Sequence, residues 1–413
     1  MFFLKFQILK ENISHYLGDY MIINVDLHLH SRFSGGTSKD MNVENILKYG
    51  RLKGLNVIGT GDCTHPTYLE EIKQYKDREL ILTTEIEDKN RVHHLILLPS
   101  ISKVEELRKV LKKYSKDIDK EGRPRVSIGG AELLEIIRDV DGLIGPAHAF
   151  TPWTSLYKSF NSIYDCYNKK PDFVELGLSA DTDMADMIPE LRDLPFLSNS
   201  DAHSYHPHRL GREFNQIKVD YIGGIEDNFE QIKKAIKHNK IIANYGLDPK
   251  LGKYHLTACS KCYTRFKLED AKKYNWKCPK CGGRIKKGVL SRVEELSDGK
   301  IEHPKFRPPY YKLIPLAEMI SLTLGKGIFT KAVQCLWEEF IKKYGNEIEV
   351  LINADIQELA KIHPKVAETI NLFRKGKIYI YPGGGGEYGR ISFKPQKVEW
   401  YREEITLDRW LKQ

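Results

Sequence analysis

Seven short runs rich in β-forming residues recur between Ile22 and about Ile242: IINVDL, LNVIGT, LILTTE, HLILLP, LIGPAH, FVELGL and PFLSNS. Helical patterns such as Val43 to Lys53, Val104 to Tyr114 and Glu132 to Val140 lie between them. Strand and helix in alternation specify a parallel sheet with helical crossovers, an α/β architecture. Apolar character along each run suits strands covered on both faces, and seven consecutive units favour a barrel over an open sheet. A chain of 413 residues that is 41% hydrophobic can bury such a core and has length for two or three domains.

The polar residues of these runs gather at the C-terminal ends. Asp26, His28 and His30 close the first run, Asp62 follows the second, Glu85 ends the third, His148 the fifth, and Asp201 with His203 the last. In a barrel of this kind the strand ends converge on one rim, so residues distant in sequence become neighbours. His28 and His30, two residues apart on a strand, project from the same face and can share one ion. Nine of the 14 histidines fall between His28 and His208. A mixed set of imidazoles and carboxylates suits Zn²⁺, Mn²⁺ or Fe²⁺, with carboxylates able to bridge ions. Asp26 reads equally as an orienting partner for a ligand histidine and as a strand-end cap.

The next segment, Lys253 to Arg292, carries Cys259, Cys262, Cys278 and Cys281 in a CxxC-x15-CxxC spacing. Four thiolates on two short knuckles can surround one structural Zn²⁺ tetrahedrally. This segment holds 12 Lys and Arg against two acidic residues, while the whole chain has a net charge of +9. After four thiolates on one Zn²⁺ are counted, a surplus of about eight remains here, which favours an acidic partner. Cys63, Cys166 and Cys335 have no partner pattern and read as small core or surface residues. Cysteines spaced for metal rather than disulfides, and no apolar run near the roughly 20 residues of a membrane span, indicate a soluble, cytoplasmic chain. Lys5, Lys10 and Glu11 interrupt the apolar opening, and a second methionine, Met21, makes residues 1–20 a candidate N-terminal extension.

From 304 onward the pattern turns helical, over Ile314 to Leu324, Ala332 to Tyr344, Ile356 to Ile362 and Lys365 to Arg374. It ends with KIYIYPGGGGEYGRISF, a hairpin whose four glycines permit either close backbone approach to a ligand or a floppy turn. The expected organisation is a catalytic barrel over 21–245, a zinc ribbon over 253–292 and a mainly helical C-terminal domain over 304–413.

In this order, DLHLHS, GTGDCTHP, the segment around Glu85, HHLILLP, GPAHAF and SNSDAHS resemble the motifs of the polymerase and histidinol phosphatase (PHP) domain. With the basic ribbon and a tail containing PPYYKLIPLAEMI and PGGGGEYG, the whole chain is similar to the endonuclease Q family of metal-dependent DNA repair endonucleases. The resemblance implies a distorted (β/α)7 PHP barrel with two or three divalent ions (Zn, Mn or Mg), besides the structural Zn of the ribbon. It further implies that His28, His30, Glu85, His94, His148, Asp201 and His203 are metal ligands. His94 is preferred to His93 because the family's ligand directly precedes the apolar LILL run, and alternation turns only one of the two inward. Many PHP domains have TDH where this chain has TGDCTH, so either Asp62 takes the histidine's place or His65 reaches back. The implied catalytic set is His28, His30, Asp62, Glu85, His148, Asp201 and His203.

The implied partner is DNA with a deaminated or abasic nucleotide, and the implied reaction is hydrolysis of the phosphodiester 5′ to deoxyinosine, deoxyuridine or an abasic site, with the base flipped out of its stack. Arg209 and Arg212 are the phosphate candidates, since a planar guanidinium binds phosphate oxygens in pairs. His206 and His208 read as phosphate contacts or as an ordinary surface loop. Lys272, Lys273, Lys286 and Lys287 would hold the duplex backbone without reading sequence. A PHP-type phosphatase acting on a small phosphomonoester is the alternative, although it needs neither ribbon nor tail.

Overall fold

The structure, a computed structural model, describes residues 20–75 and 77–401. The candidate extension over 1–20 therefore lies, Tyr20 excepted, outside the described residues, as does the end of the 304–413 segment. Two compact units are present: one takes the chain as far as Asp248 together with Asp298–Lys377, the other Pro249–Ser297 together with the chain from Ile378.

Every expected run contains a strand of the first unit: β1 (Met21–Asp26), β2 (Val57–Gly59), β3 (Leu80–Glu87), β4 (His93–Leu98), β5 (Leu143–Pro146), β6 (Val174–Glu175) and β7 (Phe196–Leu197). Two further strands, β8 (Phe214–Val219) and β9 (Ile241–Gly246), and a short one at Tyr310–Lys312 complete it. Eight of these form one curled half-barrel sheet in the order Tyr310–Lys312, β9, β8, β1, β2, β3, β4, β5, while β6 and β7 make a separate parallel pair.

The sheet is mixed, whereas the runs alone read as parallel. β1, β2 and β3 are parallel neighbours, but β3–β4, β4–β5, β1–β8 and β8–β9 are antiparallel. Residues 88–92 are too few for a crossover between β3 and β4, which therefore form a hairpin. A core of Val25, Leu27, Val57, Ile81, Leu95, Leu97 and Phe173 continues onto the helix Ile225–Lys237 through Phe229, Ile232 and Ile236. The helix Val43–Lys53 starts where the Asn42 side chain accepts from Asn45 N and stops at Gly54, whose φ of 100° ends the turn.

The helices Leu316–Leu324, Lys331–Tyr344, Ile356–Ala360 and Pro364–Arg374 belong to the first unit, so the division of the chain cuts the 304–413 segment at Lys377. In the second unit Ala258–Cys259 pairs with Ile285–Lys286, and Tyr379–Tyr381 with Arg390–Ser392. Isolated bridges join Leu256 to Gly384 and Arg265 to Trp400. The four glycines lie against this unit's own backbone: Gly383 N donates to Lys250 O at 2.8 Å and Gly386 N to Lys253 O at 2.8 Å. A Cβ on Gly385 would sit 2.3 Å from Cys259 O, so the quartet serves close packing within the chain. No helix among the described residues is long and apolar enough to cross a membrane.

Candidate metal centre

Beyond β1 the chain stays extended, and Leu29 bridges in parallel to Ala202, which brings the ends of the first and last runs together. Two donor groups form there. His28, His30 and Asp201 make one. His30 Nε2 lies 3.2 Å and His28 Nε2 3.8 Å from Asp201 Oδ1. Glu85, His93 and His148 make the other, with Glu85 Oε1 2.9 Å from His93 Nδ1 and 2.8 Å from His148 Nε2. Glu85 links the groups, because its oxygens also stand 3.6 Å from His28 Nε2 and 3.4 Å from His30 Nε2.

The inward histidine of the HH pair is His93, which corrects the expectation for His94. In the β3–β4 ladder Glu85 faces Leu95 and Glu87 faces His93, while His94 faces Ile86. Opposed residues share a face and faces alternate, so His93 shares Glu85's side and His94 takes the other. His94 lies instead 2.6 Å from the Tyr167 hydroxyl and near Asp88 and Cys166. The preceding-residue rule located the pair but not its register.

Several buried groups orient these donors. Both oxygens of Glu175, at the end of β6, approach His28 Nδ1 at 3.0 and 2.9 Å, and they also accept from Asn199 Nδ2 at 2.7 Å and from His148 N at 2.7 Å. Asp62 Oδ1 lies 3.1 Å from His30 Nδ1, and its other oxygen accepts from the backbone and hydroxyl of Ser31, both at 2.7 Å. Gly61, at φ 62°, makes this possible: a Cβ there would lie 2.2 Å from Leu29 O. Arg123 Nη1 donates to Glu85 Oε2 at 3.1 Å. Asp26 accepts from Ser200 N at 3.0 Å and Gly211 N at 3.1 Å, and burial pushes its carboxyl up to about 6. It braces the strand ends. Glu175 and Arg123 were not singled out from sequence, although FVELGL does carry an acid in an otherwise apolar run.

Of the remaining expected residues, His203 stands at the edge of the first group, its ring centred 4.4 Å from that of His30. His65 does not join: its Nδ1 accepts from Tyr68 N at the start of the helix Pro66–Ile72, and its ring stacks on Phe33. Between the two alternatives for TGDCTH, Asp62 is the residue at the cluster. Arg209 is exposed, whereas Arg212 is buried and donates through Nε to Ser200 O at 3.0 Å, bracing the Asp201 loop. His206 and His208 stack on each other, and burial with Arg209 nearby drives His208 down to about 3.

The cluster asks for cations. Asp62, Glu85, Glu87, Glu175 and Asp201 bring five carboxylates to its histidines, and Arg123 pairs with Glu85. Burial opposes charge on His28, yet Glu175, Glu85 and Asp201 push it up to about 10; His30, buried likewise, is raised to about 9 by Asp201 and Asp62. Burial alone would raise Glu85 and Asp201, but the facing imidazoles hold both well below the carboxylate range. His28 Nε2, His30 Nε2 and Asp201 Oδ1 are all buried without a hydrogen-bond partner. Such orphans cost roughly 1–3 kcal/mol each unless a ligand takes them up. Asp62, His148 and Asp201 also hold φ of 44°, 33° and 47°, strain of about 1–3 kcal/mol apiece that concentrates at functional sites. Nitrogen and oxygen donors in this arrangement fit divalent metal ions.

In the second unit the four expected cysteines converge. Cys259 Sγ lies 3.5 Å from Cys281 Sγ, and Cys262 Sγ 3.7 Å from Cys278 Sγ. Tetrahedral Zn–S bonds of about 2.3 Å place sulfurs roughly 3.8 Å apart, so the set fits one Zn²⁺. Lys272 and Lys287 both reach Glu295, at 3.6 and 2.7 Å, which tempers the basic surface.

Residues 315–377 match the family model described as the MJ0043 C-terminal domain. The uncharacterized protein MJ0043 of Methanocaldococcus jannaschii is 48% identical, over 95% of this chain and 100% of that protein. The crystal structure of the lesion-specific endonuclease PfuEndoQ from Pyrococcus furiosus is similar with a TM-score of 0.86 and 52% identity, covering 90% of this chain and 95% of that one. A crystal structure of endonuclease Q in complex with a 27-mer duplex substrate, with an abasic lesion at the active site, is similar with a TM-score of 0.84 and 52% identity, covering 90% and 96%.

Proposed function

Because the chain belongs to the endonuclease Q family, we propose that it is a metal-dependent DNA endonuclease that recognises damaged nucleotides and cuts the phosphodiester 5′ to deoxyinosine, deoxyuridine or an abasic site. The observation that carries the proposal is the meeting of orphaned His28, His30 and Asp201 atoms with the Glu85, His93 and His148 group, in a chain similar over 90% of its length to a lesion-specific endonuclease.

In this reading His28, His30 and Asp201 hold one divalent ion and Glu85, His93 and His148 a second, with Asp62 and His203 beside them; two or three ions of Zn, Mn or Mg complete the centre. When bound, such ions supply Lewis acidity toward a phosphate and lower the pKa of a bound water. Glu175 and Asp62 fix the orientation of His28 and His30 through their Nδ1 atoms. Arg123, beside Glu85, faces developing phosphate charge. The overall change adds water across the P–O3′ bond: oxygen joins phosphorus, the proton ends on the leaving oxygen, and 3′-hydroxyl and 5′-phosphate ends result. Flipping the nucleotide costs a few kcal/mol, less for a poorly paired deaminated base, which supplies part of the selectivity. The ribbon's lysines hold the duplex backbone.

A labelled duplex with one deoxyinosine, deoxyuridine or abasic site, incubated with Mg²⁺ or Mn²⁺ and separately with EDTA, tests the proposal. One cut immediately 5′ to the lesion, abolished by EDTA and absent from undamaged DNA, is expected. Equal cutting of undamaged duplex, or turnover of small phosphomonoesters with the DNA left intact, contradicts it.

A further inference from the structure

The turn between the helices Leu316–Leu324 and Lys331–Tyr344 reads GKGIFT, and at its tip Phe329 is 66% exposed, the most exposed phenylalanine among the described residues. An isolated apolar side chain on a surface needs no explanation, but this one is built in. Its ring meets the edges of His206 and His208, with centroids 5.2 and 5.1 Å away and interplanar angles of 74° and 79°. The turn is pinned by Thr330 Oγ1 donating to Gly327 O at 2.7 Å and Gln334 Nε2 donating to Ile328 O at 2.7 Å.

The support beneath is buried. Lys53 Nζ donates to Pro207 O, between the two histidines, at 2.7 Å and pairs with Glu347 at 2.6 Å. Glu347 also accepts from Trp337 Nε1 at 2.7 Å. One fully desolvated ion pair thus locks the His206–His208 segment to the helix that begins after Phe329. A buried pair of this kind gives position rather than net stability. The result is a rigid aromatic presented to solvent, flanked by the exposed cations Lys326, Lys331 and Arg209.

Chain connectivity places it near the metal centre. His203 lies against His30, and His206 is three residues farther on, at most about 11 Å of extended chain. With the ring contacts and the Cα-to-ring reach of His203 and His206 added, Phe329 stands no farther than about 28 Å from His30. Apolar rings presented beside cations on a DNA-binding protein insert between or stack on bases and stabilise an unstacked nucleotide.

Resting on the endonuclease reading above, we infer that Phe329 is a DNA-contacting specificity residue: its ring stacks on the bases flanking the damaged nucleotide and holds open the gap it leaves in the duplex. The two imidazoles and the Lys53–Glu347 strut are its platform, and Lys326, Lys331 and Arg209 guide the phosphates on either side.

The test compares wild type with Phe329→Ala and Phe329→Trp on a duplex that pairs deoxyinosine with cytosine, on the same lesion in single-stranded DNA, and on a duplex with 2-aminopurine next to an abasic site. Phe329→Ala should cut the paired lesion about tenfold more slowly while leaving the single-stranded lesion nearly unchanged, given stacking worth about 5- to 150-fold per base. It should also lose the 2-aminopurine fluorescence change on binding, and Phe329→Trp should restore both. Equal losses on paired and single-stranded DNA, or an unchanged 2-aminopurine response in Phe329→Ala, overturn the inference. If wild type cuts no lesion but the fluorescence change still depends on Phe329, stacking stands and the nuclease reading falls. If wild type neither cuts nor changes the fluorescence, both fall.

Discussion

Glu175→Gln isolates what the buried carboxylate behind His28 does. Glu175 receives three N–H groups, from the His28 ring, the Asn199 amide and the His148 backbone. A glutamine of the same shape must turn its NH₂ toward either the Asn199 amide or the His148 N–H, because each carboxylate oxygen faces one of them. One buried donor is then left facing another, at a cost of about 1–3 kcal/mol in stability. The charge that draws His28 toward a metal-binding orientation is lost as well. Carboxylates behind ligand imidazoles typically contribute 10- to 100-fold in metal affinity or activity, which is about 1.4–2.8 kcal/mol. In a chelator titration followed by lesion cutting, the free-metal concentration at the Glu175→Gln midpoint should rise by one to two decades, and excess metal should recover part of the rate. A midpoint and rate equal to wild type would mean that Glu175 does not orient His28, and the assignment of that group would fail.

The register of β4 makes a sharper contrast. His93→Ala should lower cutting at least 100-fold, whereas His94→Ala should act mainly on stability through the lost Tyr167 contact, and equal effects on the rate would refute the inward placement of His93. Glu213 gives a pH dependence: burial pushes its carboxyl up to about 8. Its raised pKa means the folded chain keeps a proton that the unfolded chain releases above about 4.5, so stability falls as pH rises from there to about 8, by an amount on the order of 5 kcal/mol. Thermal melts of Glu213→Gln should therefore lose less stability than wild type between pH 5 and 9, and parallel curves would contradict this. For the ribbon, replacing Lys272, Lys273, Lys286 and Lys287 with Ala should flatten the slope of log affinity against log salt by about 2–3, less than four full contacts because Glu295 already engages two of them. An unchanged slope would remove the ribbon from the DNA interface.

Much of the first unit was legible because apolar runs and the convergence of strand ends are local signals with a fixed geometric consequence. His28, His30, Glu85, His148 and Asp201 meet for that reason. What escaped depends on pairing that sequence does not display. His93 and His94 are adjacent, so only the ladder that sets Glu87 opposite His93 decides between them. The mixed sheet follows from the five-residue turn after β3, which is too short for a crossover and becomes visible only once the strand ends are placed. Glu175 lies in a strand of only two residues, too short for alternation to show which way its carboxylate faces. The glycine quartet allowed two readings, and the structure adds a third, backbone packing inside the second unit.

The central claim is that carboxylates and imidazoles from separate strand ends act together through divalent ions on damaged DNA. Its most direct measurement is a reconstitution titration, in which chelator-stripped protein is mixed with a deoxyinosine duplex and cutting is followed against equivalents of Mn²⁺ or Zn²⁺ added, for wild type and Asp201→Ala. The account predicts no cutting by the stripped protein, a rate that rises and saturates at two or three equivalents beyond the cysteine-bound zinc, and no recovery in Asp201→Ala. Cutting by fully stripped protein, or equal recovery in Asp201→Ala, would contradict it.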